Sequence, residues 1–297
     1  MIPSPEHAQL LEHLTTLEAL MTCGFRQEQI VSCRRGVAML RGTLPDGRHV
    51  GVKLVVPGAP QSSPYAPLEM LGRETKWLCK FGKELAAGHY ITDGVKTGEN
   101  WLMVDWLDGA PLDAKMYDLT DPTDIALTFA KAAAAVSALH AAGQVHGDLQ
   151  PAHFLVSEDT VHLIDFSLAH VPGDFNYRGA MVHFMAPELA AALNGKQTLI
   201  MDFAAEIYAF GAVLFFAVTG RVPTGYSDPK APVADKLAAI ATQGCTRPHL
   251  LRERLDPDLA EIILGCLALS RAQRFQSLDE VLTALTATQR TLAAGAV

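Results

Sequence analysis

The chain reads as an α+β protein of two lobes, a small strand-rich N-lobe with one main helix and a larger helical C-lobe. Three observations lead there. Runs rich in β-branched and aliphatic residues fill Gln29 to Val56 and return at Trp101–Leu107. Helical spacing dominates from Asp121 onward. Between the two regimes lies a short connector with turn chemistry, Asp108-Gly-Ala-Pro111. A chain of 297 residues has room for one large core or two modest ones sharing an interface. With 49% hydrophobic and 19% charged residues it belongs with globular chains, not disordered ones. The expected divisions are a helical extension over 1–28, the N-lobe over 29–107 and the C-lobe over 108–297.

Taken in order, Ser4-Pro5-Glu6 has the chemistry of a helix start: a hydroxyl N-cap, a proline at the first helical position and an acid in the first turn. Leu10, Leu14, Leu17 and Met21 then form one apolar stripe, suited to packing on its own domain, with a partner as the alternative. Val37–Leu44 and His49–Val56 read as strands joined by the turn Pro45-Asp-Gly47. After the proline-rich loop 57–64 the spacing predicts a helix over 66–82, and a turn over 96–100 leads into the strand Trp101–Leu107. Asp121 to Ala142 reads as an alanine-rich helix stopped by Gly143. Two short strands, Phe154–Val156 and Val161–Ile164, precede an irregular stretch to Met185, and helical patterns run from Pro187 to the end. The apolar run Phe203 to Gly220 is short for a membrane span and carries Glu206. A buried core helix is therefore expected there, and no membrane span.

A net charge of −8 argues against nucleic acid or an anionic membrane as partner. Residues 1–107 hold eleven basic and eleven acidic side chains, so the whole acidic surplus lies after Leu107. The five cysteines are scattered and never form a CxxC pair, which speaks against a disulfide framework or a zinc site and fits a reduced, cytoplasmic setting. Met1-Ile-Pro-Ser-Pro-Glu6 has neither a basic start nor an apolar run, so no secretory leader is expected.

The chemistry concentrates in Val145-His146-Gly-Asp148-Leu-Gln150-Pro-Ala-His153 and in Asp165-Phe-Ser167. This spacing puts two carboxylates, Asp148 and Asp165, at strand ends on either side of a short hairpin. Phosphoryl transfer needs one carboxylate to orient an attacking hydroxyl and another to hold magnesium on the phosphates.

The order of these segments resembles eukaryotic-type serine/threonine protein kinases. His146-Gly-Asp148 with His153, Asp165-Phe-Ser167 and Ala186-Pro-Glu188 are similar to that family's HxD…N, DFG and APE motifs. Val50-Gly-Val-Lys53 resembles its VAIK strand, and Glu74 stands where the lysine's ion-pair partner belongs. Tyr208-Ala-Phe-Gly211, Thr219-Gly-Arg-Val-Pro223 and Ala272-Gln-Arg274 look like its later helices, so the resemblance covers roughly residues 29–287. It implies a bilobal protein-kinase-like fold with a nucleotide cleft, and ATP and Mg2+ as cofactors. Lys53 would touch the α/β-phosphates and Glu74 would aim it; Asp148 would be the base and Asp165 the magnesium ligand. Asp105 and Leu107 would meet the adenine with backbone groups, Val104 would stand behind them, and Gly51 and Leu155 would enclose the purine. Glu188 and Arg274 would pair to anchor the activation segment. His146 reads as a core histidine, and His140, His162, His170 and His183 as incidental.

The departures concern charge and loop geometry. Ser32-Cys-Arg-Arg-Gly36 keeps one glycine where the family has a phosphate-binding glycine loop. Arg34 and Arg35 there either offer charge to phosphates or serve as plain strand-end residues. Gln150 stands in place of a lysine, and His153 in place of an asparagine that ligates a second magnesium, a role for which imidazole is poorly suited. Ser167 replaces a glycine, Glu206 an aspartate that braces the catalytic loop, and Gly147 an arginine that reads a phosphorylated activation segment. Residues 165–188 offer Ser167 and Tyr177 but no threonine, so activation by loop phosphorylation is not expected. The resemblance implies a divergent protein kinase of weak or atypical activity acting on a protein substrate. The alternatives are a pseudokinase that serves a protein partner, and a small-molecule kinase, since His146-Gly-Asp148 is also similar to the HGD of aminoglycoside-type phosphotransferases.

Overall fold

Alternation along one strand sets the first sheet. Val50, Val52 and Leu54 share a face and are buried with Ala38 and Leu40 of the strand beside them. The computed structural model describes residues 20, 24–34, 36–56, 66–82, 100–174, 181–225 and 230–295. In it these runs form β1 (Arg26–Arg34), β2 (Val37–Thr43), β3 (His49–Val55) and β4 (Trp101–Asp105), an antiparallel sheet in that order. Strand structure thus begins at Arg26 rather than Gln29. The named strand stops at Asp105, although the Trp106 amide still donates to the His49 carbonyl at 3.0 Å, one step further in the same register. Leu20, Trp101 and Met103 complete the core on this face. The stripe Leu10, Leu14, Leu17 and Met21 lies outside the described residues, as do Arg35, residues 57–65, the turn residues 96–99 and Tyr177.

Helix α1 (Pro67–Trp77) packs on β3 and β4. Its buried residues Leu71, Glu74 and Trp77 recur three apart, and Pro67 opens it. The helical span expected to reach residue 82 is α-helical only to Trp77 and continues as a wider π-helical turn, Leu78–Gly82. The Thr75 hydroxyl donates to the Leu71 carbonyl at 2.8 Å, competing with the backbone just where the helix loosens.

The chain divides into two compact units, Met1–Leu107 and Asp108–Val297. The second carries a small antiparallel sheet, β5 (Ala110–Pro111), β6 (Phe154–Val156) and β7 (Val161–Leu163), in that order. Its helices are α2 (Leu112–Asp118), α3 (Pro122–Ala141), α4 (Pro187–Asn194), α5 (Phe203–Thr219), α6 (Val233–Thr242), α7 (Pro257–Cys266) and α8 (Leu278–Gly295). Sequence chemistry explains the helix ends: Asp121 caps α3 by accepting from the Thr123 amide, Asp202 caps α5, and Asp256 caps α7 ahead of Pro257. Helix α5 is apolar on all sides because it is enclosed, with α2 and α7 against it. Among the described residues no helix is long and apolar enough to cross a membrane.

Candidate active site

In the first unit the pleat of β3 turns Lys53 away from the Val50–Val52–Leu54 core and toward α1. There the Lys53 Nζ lies 2.7 Å from both Glu74 carboxylate oxygens. Glu74 is buried, with 4% of its surface exposed, and pairs there with the Lys53 ammonium. Gly51, Val104 and Asp105 share this part of the sheet, since Gly51 pairs with Val104 and Val50 with Asp105. A side chain at Gly51 would meet the tip of Met39 at 2.5 Å. Leu107 follows β4, and Arg34 closes β1.

The second unit gathers Asp148, Gln150, His153 and Asp165. Val145 and His170 exchange two backbone hydrogen bonds, 2.9 and 3.0 Å, tying the segment before Asp148 to the one after Asp165. His146 is fully buried; its Nε2–H donates to the Ile164 carbonyl at 3.0 Å and its Nδ1 accepts from the Asp148 amide at 3.3 Å. Burial, the largest cause, holds the His146 pKa below its ordinary 6.5. Phe166 lies against the His146 ring, centroids 5.3 Å apart.

Glu206 of α5 organises this loop from below. Its Oε1 accepts from the Gly147 amide at 2.8 Å, and its Oε2 from the His146 amide at 3.1 Å and from His140 Nε2 at 2.9 Å. Burial alone would raise the Glu206 pKa. The hydrogen bond and charge of His140, then His146 and the Gly147 amide, outweigh it and hold the carboxyl below its ordinary 4.5. His140 is therefore not incidental, contrary to the sequence reading. A glutamate reaches one methylene further than an aspartate, and the histidine occupies the acceptor position this opens. His170 likewise has a partner, the Leu168 carbonyl, at 2.6 Å from its Nδ1.

Asp148 keeps its two oxygens in different states. Oδ2 accepts from Gln150 Nε2 at 3.1 Å, while Oδ1 is buried with no hydrogen-bond partner. The same Gln150 amide reaches His153 Nε2 at 3.0 Å, and His153 Nδ1 lies 2.8 Å from the Asp148 carbonyl. Because a carbonyl only accepts, Nδ1 carries the proton and Nε2 the lone pair. Asp165 Oδ2 lies 3.8 Å from that Nε2. Asp165 adopts a left-handed backbone, φ 66° and ψ 71°, a conformation costly for any residue but glycine and held here by the turn that follows. Ser167, in the turn Phe166–Leu168, has no positive φ and does not need a glycine's freedom. Leu155 sits on β6, paired with Pro111 and His162.

Glu188 opens α4 and meets Arg274 in a two-pronged pair, 2.9 and 3.1 Å. The Arg274 side chain is wholly buried, also donating to the Ala204 and Ala268 carbonyls. Arg271 joins Glu188 to Asp202, a bridge the sequence reading missed. Its only signal was an arginine three residues before Arg274.

A model of the protein kinase domain matches residues 92–285 of the chain. A probable serine/threonine-protein kinase of Clostridium acetobutylicum is 25% identical over 232 residues, which cover 71% of this chain and 33% of that one. The serine/threonine-protein kinase PknD of Mycobacterium tuberculosis is 30% identical over 197 residues, 63% of this chain and 28% of its own. The serine/threonine-protein kinase AfsK of Streptomyces griseus is 32% identical over 142 residues, 46% and 16% of the two chains. The matches span about a third or less of the length of these relatives.

Proposed function

The chain belongs to the protein kinase family, and on that footing we propose that it transfers the γ-phosphoryl group of ATP to a serine or threonine hydroxyl of a protein, slowly. The observation that carries this is the Asp148 carboxylate, anchored through Oδ2 with Oδ1 buried and open as an acceptor. A general base needs that combination of a fixed orientation and one uncommitted oxygen. In this reading Lys53 holds the α/β-phosphates and Glu74 keeps it aimed, while Gly51, Val104, Asp105 and Leu107 serve the adenine. A cytoplasmic setting and a protein substrate belong to the same proposal.

The donor chemistry fits one magnesium ion better than two. Asp165 offers a partly exposed carboxylate, the hard oxygen ligand magnesium prefers. His153 offers a nitrogen where the family has an amide oxygen, and magnesium gains little from it. A bound cation would neutralise phosphate oxygens. Asp148 would take the hydroxyl proton on Oδ1, and Gln150 would keep that carboxylate from turning. The neutral Gln150 supplies no charge to the transferring group. Loss of one such contact costs on the order of 2–4 kcal/mol of barrier, which is the reason for expecting slow turnover.

The test is labelled phosphate transfer from ATP with magnesium to the protein itself and to generic basic proteins. Activity is expected in wild type and its loss in Asp148→Asn; if both incorporate the same amount, the reading fails. A pseudokinase reading draws support from the Gln150–His153 contact, which fills the catalytic loop with neutral groups. It predicts nucleotide binding without turnover, seen as a thermal shift with ATP and no transfer in either protein.

A further inference from the structure

A small cavity lies against the catalytic loop. Its lining includes Gly147 and Leu149, the two neighbours of Asp148, together with Met181, Phe184, Met185 and Met201. Among the described residues no polar side chain lines it. The three thioethers differ sharply in their access to solvent. Met185 and Met201 expose 5% and 3% of their surfaces, whereas Met181 exposes 41%, more than any other methionine among the described residues. Met181 also opens the turn Val182–Phe184, where its carbonyl accepts from the Phe184 amide at 3.1 Å. That turn sets the Phe184 ring edge-on to Phe216 of α5, centroids 5.9 Å apart. One side chain therefore borders solvent, the apolar cavity and the turn that packs on the core.

We propose that Met181 is a redox modification site: a peroxide oxidises its thioether to the sulfoxide, and the change loosens the support of the Asp148 loop. In that step a sulfur lone pair attacks one oxygen of hydrogen peroxide, an S–O bond forms and the O–O bond breaks. Sulfur gives up two electrons, and the other oxygen leaves as hydroxide and takes the remaining proton to become water. A thioether suits an apolar cavity, but a sulfoxide oxygen is a polar acceptor. No side chain lining the cavity can donate to it, and the Gly147 amide is already taken by Glu206 at 2.8 Å. Burying the oxygen there without a partner is costly, so it turns to water and draws the Met181 side chain out. The cavity beside Gly147 and Leu149 is left underfilled, on both sides of the residue whose orientation matters. Burial shields Met185 and Met201, which confines the reaction to one sulfur. The site stands apart from the phosphotransfer reading; only its effect on transfer rests on that reading.

The experiment titrates the whole chain with hydrogen peroxide, follows the one-oxygen mass gain of each methionine peptide and records thermal unfolding. Met181 is expected to oxidise about tenfold or more faster than Met185 and Met201. Tm is expected to fall by about 2–4 °C and to recover with methionine sulfoxide reductase. Met181→Leu keeps the volume without the reactive sulfur and should hold its Tm at the same dose. Met181→Gln, polar and of like length, should lower Tm without any peroxide. Oxidation of Met185 or Met201 as fast as Met181, or complete Met181 oxidation with Tm unmoved, overturns the proposal. Phosphate transfer from ATP, read on the same samples, should fall with Tm and return with the reductase; transfer that persists through complete oxidation overturns the effect on the Asp148 loop. Absence of transfer before any peroxide is added refutes the phosphotransfer reading instead, and mass gain and Tm still decide the modification.

Discussion

Replacing Gly147 by alanine tests how closely the catalytic loop is fitted to the segment after Asp165. Gly147 has φ +79°, and a Cβ built on it lies 2.5 Å from the Leu168 carbonyl oxygen and 3.3 Å from His170 Cε1. Gly143, in the same unit, has φ +68° with nothing within 4 Å of its Cβ. Both substitutions incur the left-handed backbone cost, about 1 kcal/mol. Only Gly147→Ala must also push a backbone carbonyl back by roughly 0.5–1 Å to reach ordinary contact. That carbonyl accepts from His170, whose backbone is paired twice with Val145. Weakening two of these three hydrogen bonds adds about 2 kcal/mol. The expected loss is thus about 3 kcal/mol for Gly147→Ala against about 1 for Gly143→Ala, or roughly 6–12 °C against 2–4 °C in Tm. Urea and thermal unfolding, read on the transition that Gly143→Ala also moves, decide it. Equal destabilisation by the two variants, within about 0.5 kcal/mol, refutes the reasoning. An arginine at this position would meet the same obstacle.

Lys53→Met is expected to weaken binding of a non-hydrolysable ATP analogue by roughly ten- to a hundredfold, the worth of a charged hydrogen bond; unchanged affinity by calorimetry removes Lys53 from the nucleotide. Stability should fall in acid. His146 is held below 6.5, so the unfolded chain takes up a proton that the folded one refuses, and stability is full above pH 6.5 and declines below it. Glu206, held below 4.5, contributes stability above that value which is lost as pH falls through its lowered pKa. Urea midpoints should therefore slope downward from pH 6.5, and His146→Gln should flatten the upper part; a flat wild-type profile is the contrary result. Gln150→Lys restores a cation beside Asp148 and should raise kcat tens-fold or more with KM nearly unchanged, about 2–4 kcal/mol of barrier. A change confined to KM would show that charge is not what the loop lacks.

Local chemistry made much of this legible in advance. The β-branched and aliphatic run His49–Val56 reads as a strand, which the structure gives as His49–Val55, and Asp121 marked a helix start that the structure places within a residue. What stayed hidden depends on partners distant in sequence. His140 and Glu206 are 66 residues apart and Arg271 and Asp202 are 69 apart, so no periodicity links them. Gln150 and His153 were visible as departures, yet their mutual contact was not. A side-chain hydrogen bond depends on rotamers, and a sequence pattern reports only which face of the backbone a residue occupies. The π-helical turn after Trp77 was missed for a similar reason: a threonine hydroxyl competing for a carbonyl leaves the hydrophobic spacing intact.

Positioning and charge separate in this site. Gln150 orients the Asp148 carboxylate with one hydrogen bond, a task an amide performs as well as an ammonium does. It cannot neutralise a developing negative charge, because a dipole falls far short of a full charge at the same distance. His153 repeats the division, oriented by the Asp148 carbonyl yet offering a softer donor than an amide oxygen. The scaffold beneath is not thinned: Glu206 still takes two backbone amides and a histidine, and Arg274 still holds Glu188 at two points. A loop that had lost all use for its geometry would have little reason to bury a carboxylate on three donors or to hold Asp165 in a left-handed backbone. The retained positioning therefore argues for a ligand still bound there, and the missing positive charge argues that a cation must be brought in with it.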